Sequence, residues 1–261
     1  MERKRFYYLI RLQFLGFRYS GWQKQPGQRT IEGMLQKTLK FVLPDKKFKI
    51  LASGRTDAKV SALNAVFELF LDDEPLTDPI EFLKTFNTNL PPDIRALEIK
   101  TTTKDFNVIQ DSKIKEYIYL FSFGEKNHPF SAPFLTHSIA DLDLDSMLTA
   151  AKFYEGEHDF SSYTARIKPN TKILRGIEKC EIVENTLLTA NFFPEKSYAL
   201  IVRGEGFMRY QIRMIMGALF QLGKGELSMD DIKKSLQPNT DIVLTSVAPA
   251  SGLILNRVHF K

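Results

Sequence analysis

The chain has 261 residues, 43% of them hydrophobic and 26% charged, with one cysteine and four scattered histidines. These figures suit a folded protein with a sizeable core. They exclude an internal disulfide, and no apolar run approaches the roughly 18–20 residues that span a bilayer. The net charge of +5 is unevenly placed: residues 1–49 hold twelve Lys/Arg against three Asp/Glu, and the remainder 24 against 28. A basic segment on a near-neutral body points to a polyanionic partner, nucleic acid first. No metal-ligand spacing surrounds His128, His137, His158 or His259, so no metal is expected, and neither a glycine-rich phosphate loop nor a dinucleotide fingerprint is present. The basic start, Met1 to Phe6, runs into alternating residues rather than a signal-like apolar stretch, and the expected location is the cytoplasm.

Residues 5–14 read as a strand, and Gly16, Gly21, Pro26 and Gly27 mark loops around Trp22. From Thr30, a plausible N-cap, the spacing Ile31, Met34, Leu35, Leu39, Val42 predicts a helix that ends before Pro44. Short strands are expected at 48–52 and 62–71, separated by a polar loop, Ser53-Gly54-Arg55-Thr56-Asp57. A helix at 78–86, strands at 94–100 and 114–123, and a Pro-containing linker at 124–142 follow. Beyond it the pattern predicts a helix at 143–154, strands at 172–184, 187–193 and 197–203, helices at 206–222 and 228–236, and a last strand near 253–260. This alternation favours an α+β fold of two similar halves, 1–123 and 143–261, that form one functional unit around a mixed sheet.

Four features bear on chemistry. Arg55 and Asp57 sit two apart in a loop between strands, where a carboxylate beside a guanidinium stays ionised and serves as nucleophile or base. The same tripeptide also suits a plain turn. Lys115, Tyr117 and Tyr119 share one face of a strand, a pattern that suits base stacking beside a phosphate and equally suits a sheet core. Arg209 and Arg213 are spaced i, i+4 in the first turns of the predicted helix at 206–222. Cations there oppose the helix dipole, so a carboxylate such as Asp57 or a bound phosphate is expected to compensate. Finally, Arg18, Trp22 and Lys24 lie in a stretch that interleaves aromatics with cations, as nucleic-acid surfaces do. Trp22, the single tryptophan, is also a natural core anchor.

Together these features resemble the tRNA pseudouridine synthase A family, in order and over nearly the whole chain. Gly16-Phe17-Arg18-Tyr19-Ser20-Gly21-Trp22-Gln23 is similar to the family's D-G-x-x-[YF]-x-G-[WF]-Q element, and Thr30-Ile31-Glu32-Gly33 to its helix start. Ser53-Gly54-Arg55-Thr56-Asp57-Ala58 resembles its [AS]-G-R-T-D-A signature, whose Asp is catalytic. Asn87 to Ile94 and Lys115-Glu116-Tyr117-Ile118-Tyr119 match its N-x-x-L-P-x-D-[IV] and K-x-Y-x-Y elements. His158 to Tyr163, Gly206 to Arg213 and Ala248 to Leu253 also fall in register. The resemblance implies two ferredoxin-like or RRM-like halves joined into a central, mainly antiparallel sheet flanked by helices. It implies isomerisation of uridine at positions 38 to 40 of the tRNA anticodon stem-loop, without a cofactor, by a homodimer. Asp57 would act on the sugar, by attack or by proton abstraction. Arg55 would hold the flipped nucleotide, Tyr117 would stack on the base, Arg213 would orient Asp57, and Leu253 would form an apolar wall. Lys115, Arg209, Arg18, Lys24 and Trp22 would bind substrate.

The chain departs from the family pattern at Lys59 and Ser61, where A-G-V-H is usual after the Asp, and at Asn107 and Ile109, in place of F-H-A-R. Leu15 stands for the opening Asp. These positions read as RNA contacts. They leave two alternatives: a synthase acting on a different RNA, or a catalytically silent RNA-binding protein on the same fold. A nucleic-acid-binding module whose Arg-Thr-Asp is only a turn is a third.

Overall fold

Alternation at the start of the chain buries Tyr8, Ile10, Leu12 and Phe14 on one face of strand β1 (Arg5–Phe14). The computed structural model describes residues 4–165, 167 and 171–260. It divides into two compact units, Met1–Lys113 with Leu255–Lys261, and Ile114–Ile254.

In the first unit β1 pairs antiparallel with β3 (Ser61–Asp72) on one side and β4 (Ile94–Thr102) on the other, and β2 (Phe48–Ala52) pairs antiparallel with β3. The last strand, β10 (Leu253–Phe260), also borders β3. Helices α1 (Ile31–Val42) and α2 (Pro79–Asn89) complete the unit. The Thr30 hydroxyl accepts from Gly33 N–H to start α1, and Ile31, Leu35 and Leu39 form its buried stripe. Asp78 caps α2 by accepting from Ile80 and Glu81 N–H, with Pro79 in the first turn. Phe67, Leu69, Leu71, Phe82 and Phe86 are buried with the α1 stripe in this core.

In the second unit β5 (Ser112–Phe123), β9 (Tyr198–Gly204), β8 (Leu174–Glu184) and β7 (Gly156–Asp159) pair antiparallel in that order, and β6 (Thr136–Ser138) adds to β5 in parallel. Its helices are α3 (Leu144–Ala151), α4 (Gln211–Gly223) and α5 (Met229–Ser235). A buried hydroxyl chain runs from Tyr154 through Tyr163 (3.1 Å) to Ser235 (2.6 Å). The fold is thus α+β, with mixed but mainly antiparallel pairing and flanking helices.

Four local expectations are corrected. Residues 124–142 are not a bare linker: they hold β6 and a 3-10 turn at Pro129–Ser131, and they belong to the second unit. Prolines conceal the short strand, which needs only three residues of pairing to β5. Residues 187–193 form no strand. Asn185 Oδ1 accepts from Leu187 and Leu188 N–H and its amide donates to Leu188 O, an Asx turn that breaks the β pattern between β8 and β9. The four-residue strand β7 escapes the alternation rule by its shortness. Helix α4 begins at Gln211, not at 206, because Tyr210 stands in the left-handed region (φ 66°) and interrupts the helical path.

Candidate active site

The Arg-Thr-Asp loop leaves β2 and re-enters the sheet as β3, with Arg55 exposed and Asp57 half-buried. Its main chain is fixed by the segment that follows β1. Trp22 N–H donates to Thr56 O (3.1 Å), Lys59 N–H to Tyr19 O (3.0 Å), and Val60 N–H closes a turn on Asp57 O (3.3 Å). Gly16 N–H donates to the Ser61 hydroxyl at 2.9 Å. Two glycines permit this approach. A Cβ on Gly16 would lie 1.9 Å from Val60 O; one on Gly21, itself at φ +95°, would lie 2.8 Å from Thr56 O and 3.1 Å from the Asp57 carbonyl carbon. Both chain segments therefore behave as one rigid piece that aims the Asp57 side chain.

A charged clamp ties this piece to the start of β4. The Tyr19 hydroxyl donates to Asp93 Oδ1 (2.6 Å) and Arg18 Nη2 to Asp93 Oδ2 (2.8 Å); Arg29 donates to Tyr19 Oη (3.2 Å) and lies 3.7 Å from Asp93. Burial raises the Asp93 pKa, but the hydrogen bonds from Tyr19 and Arg18 and the two guanidinium charges outweigh it, so the carboxyl sits below its ordinary value. Burial first, and donation to Asp93 second, push the Tyr19 phenol up to about 12. Arg18 thus has a protein partner, although its side chain stays 60% exposed. Lys24 is exposed and donates to Gln36 Oε1 (3.0 Å). Trp22 is corrected from an RNA contact to a support: it is 4% exposed, packs near Phe14 with ring centroids 6.2 Å apart, and holds Thr56 through its backbone.

The second unit presents a different construction. Along β5, Tyr117 meets the Phe207 ring edge-on at 5.5 Å, and Tyr119 is fully buried, its hydroxyl donating to Pro249 O at 2.8 Å. Burial raises the Tyr119 pKa and lowers that of Lys115, so Lys115 is held where its charge is costly. Arg209 and Arg213 do not share a helical stripe, because Arg209 precedes α4 and Arg213 lies in its first turn. Both guanidinium groups instead lie over the Tyr210 ring, each 4.8 Å from its centroid, and Arg209 also donates to the Tyr210 hydroxyl (3.1 Å). The turn before α4 is braced by Met208 N–H on Gln211 Oε1 (2.8 Å). A left-handed non-glycine residue costs about 1–3 kcal/mol and persists only where its surroundings over-determine it. Arg213 Nε donates to Ala248 O (2.8 Å) while Ala248 N–H donates to Arg213 O (3.0 Å). Leu253 is buried at the head of β10.

Two of the departures from the family pattern, Ser61 and Asn107, have structural work, and a third, Lys59, carries backbone strain. Ser61 is buried and accepts from Gly16, so it closes the loop rather than touching RNA. Asn107 Oδ1 accepts from Ile109 and Gln110 N–H, an Asx turn that presents buried Val108. Lys59 adopts φ 67°, the conformation glycine takes without strain, and its ammonium lies 5.9 Å from the Phe17 centroid. Ile109 remains 53% exposed. Sequence reasoning missed Phe207, Tyr210 and Asp93 as organisers; all three sit inside matched motifs, which was the available signal. Among the described residues, no group of three or more His, Cys, Asp or Glu is placed to hold a metal. No helix among them is long and apolar enough to cross a membrane.

Comparison with known proteins gives the family. Residues 150–261 match the family model for tRNA pseudouridine synthase. The tRNA pseudouridine synthase A of Onion yellows phytoplasma is 31% identical over 261 residues, covering 98% of this chain and 99% of that protein. This chain belongs to the tRNA pseudouridine synthase A family. Relatives of the same name from Shouchella clausii (30% identical, 96% of this chain and 92% of theirs) and Listeria monocytogenes (31%, 96% and 97%) span the same length. Pseudouridine synthases are isomerases, so the family assigns an isomerase reaction class to a chain whose Asp loop, tyrosine strand and arginine turn are all present.

Proposed function

We propose that the protein isomerises uridine to pseudouridine in tRNA, at positions 38 to 40 of the anticodon stem-loop, in the cytoplasm, as a homodimer and without metal or cofactor. The observation that carries this reading is the Asp57 loop: a Gly-Arg-Thr-Asp segment locked by Gly16 and Gly21 in a chain related along its length to tRNA pseudouridine synthases A. The reaction breaks the uridine N1–C1′ bond and forms C5–C1′; the C5 proton leaves to solvent and N1 takes one up, so no atom or electron is gained or lost. The target base leaves its stack at a cost of a few kcal/mol, offset by binding in the site.

Asp57 acts on the sugar, by attack or by proton abstraction, and Arg55 holds the flipped nucleotide through its phosphate. Tyr117, whose ring is propped edge-on by Phe207, stacks on the base. Arg213 orients Asp57 and balances its charge, Lys115, Arg209, Arg18 and Lys24 bind substrate phosphates, and Leu253 closes the apolar side. A buried Ser61 and a self-contained Asn107 turn favour this reading over the silent-protein alternative, because those replacements serve the fold.

The test is tritium release from tRNA carrying uridine labelled at C5, repeated with cytidine at positions 38 to 40. Release that disappears with those uridines is expected. Release that persists would move the target elsewhere in tRNA, and none from any tRNA would overturn the reading. Light scattering of the purified protein tests the homodimer.

A further inference from the structure

The first unit contains a second basic feature, apart from the Asp57 loop. A groove of about 740 Å³ runs between α1 and β2, lined among others by Gln36, Lys40, Leu43, Lys46, Lys47 and Lys49. Lys40, Lys47 and Lys49 are exposed, and none of them has an ion-pair partner among the described residues. The carboxylate in the lining, Glu32, is already committed: Oε2 accepts from Lys24 N–H (2.8 Å) and Oε1 from the Gln36 amide (3.2 Å). Lys46 pairs with Glu74 at 3.0 Å. The groove lining thus sets four lysines against the one Glu32 carboxylate, three of them without an ion-pair partner among the described residues, with Lys24 at its Gln36 end.

Its orientation follows from the chain. Helix α1 starts beside the catalytic loop, since Ile31 N–H donates to Gly21 O (3.1 Å) and Glu32 N–H to Trp22 O (2.9 Å). The groove lining extends from Glu32, in the first turn, to Leu43, the C-cap, a rise of about 16 Å at 1.5 Å per residue. Likewise β2 ends at Ala52, just before the Arg-Thr-Asp loop, while Lys47 and Lys49 stand at its far end. The lysines thus form a track that leads away from Asp57 within one unit.

We propose that this groove binds the phosphate backbone of the RNA substrate beyond the reacting nucleotide, a docking subsite separate from the catalytic loop. The inference rests on the tRNA reading for the identity of the RNA, and on the groove alone for the chemistry. A mixed lining, with apolar Leu43, Pro44 and Ile50 beside exposed ammonium groups, suits a ribose-phosphate strand: charge for the phosphates, apolar surface for the sugars. A rival explanation is that lysines on a short strand guard it against pairing with other chains.

The test is a charge-reversed triple variant, K40E/K47E/K49E, which keeps the strand guarded by charge. Its affinity for unmodified tRNA is measured against salt concentration beside wild type and a charge-matched control, K126E/K233E/K234E. The expected result is at least a tenfold rise in Kd at low salt and a log Kd–log salt slope shallower by about two, as the loss of about three phosphate contacts predicts. Turnover per bound tRNA should be unchanged in the tritium assay. A slope equal to wild type, or an equal loss in the control, would overturn the proposal. Wild-type binding by the triple variant, with aggregation of the uncharged K40Q/K47Q/K49Q, would overturn the proposal in favour of the guarding role. A wild type that binds RNA through the groove but releases no tritium would count against the tRNA synthase reading and leave the groove standing.

Discussion

The two units hold their site residues by opposite means. In the first, the segment bearing Asp57 is positioned mainly by main chain: four hydrogen bonds and glycine contacts at 16 and 21 fix residues 56–61. In the second, Tyr117 is propped edge-on by Phe207, and Arg209 and Arg213 lie over Tyr210, with Ala248 as a lateral brace for Arg213. The contrast fits the division of labour in the proposed reaction. A reacting carboxylate needs sub-ångström placement, which backbone packing supplies, whereas a surface that receives a swung-out base tolerates adjustable rings. It follows that small changes under the loop should damage turnover, while changes on the Tyr117 face should be graded by the chemistry of the side chain.

Among changes to the supports, the largest expected effect is that of Gly16→Val. Its added carbon cannot fit 1.9 Å from Val60 O, so the loop must move. A shift of about 1 Å at a reacting group costs on the order of a hundredfold in rate, and single-turnover kinetics should show at least that, with tRNA affinity retained. Wild-type kcat in this variant would break the main-chain side of the comparison. On the Tyr117 face, Tyr117→Ala should lose about 1–3 kcal/mol of base stacking, read as a drop of about five- to 150-fold in kcat/KM, while Tyr117→Phe stays within about threefold. Equal losses would assign the work to the hydroxyl.

Smaller effects test the clamp and the strained turn. Asp93 is held below the ordinary aspartate value of 3.8, so its contribution is fully present above that pH and is lost as pH falls through the lowered folded value. Asp93→Asn should therefore cost about 1 kcal/mol at pH 7, after screening around exposed Arg18. The difference in Tm from wild type should shrink below pH 3.8. A constant Tm difference across that range would mean that packing, not charge, holds Tyr19. Lys59→Gly should relieve the left-handed residue and stabilise by up to about 1 kcal/mol in denaturant unfolding without changing kcat. Weakened tRNA binding in this variant would instead give Lys59 a substrate role.

Much of this architecture is written in local pattern. The Thr30 cap, the α1 stripe and the alternation of β1 are short-range signals; the structure follows the cap and β1, while in α1 Met34 and Val42 are only half-buried and Thr38 joins the buried face. Where signals conflict the pattern misleads: the apolar run after Asn185 reads as a strand until its side-chain turn is seen, and Gly206 to Tyr210 reads as helix until the Tyr210 backbone is known. The Arg-Thr-Asp loop was legible because it is a contiguous motif. The supports were not, since what Gly16 and Gly21 touch is decided by tertiary approach. Trp22 shows the same limit: among cations it reads as an RNA contact, but burial makes it a prop.

The central claim is that the Asp57 carboxylate performs the chemistry from a pre-set loop. The most direct test is tritium release from C5-labelled, unmodified tRNA by wild type and Asp57→Asn side by side, with tRNA affinity and Tm measured on both. The account predicts release by wild type alone, with unfolding and binding unchanged in the variant. Residual turnover above a few per cent of wild type, a barrier difference of less than about 2 kcal/mol, would contradict it.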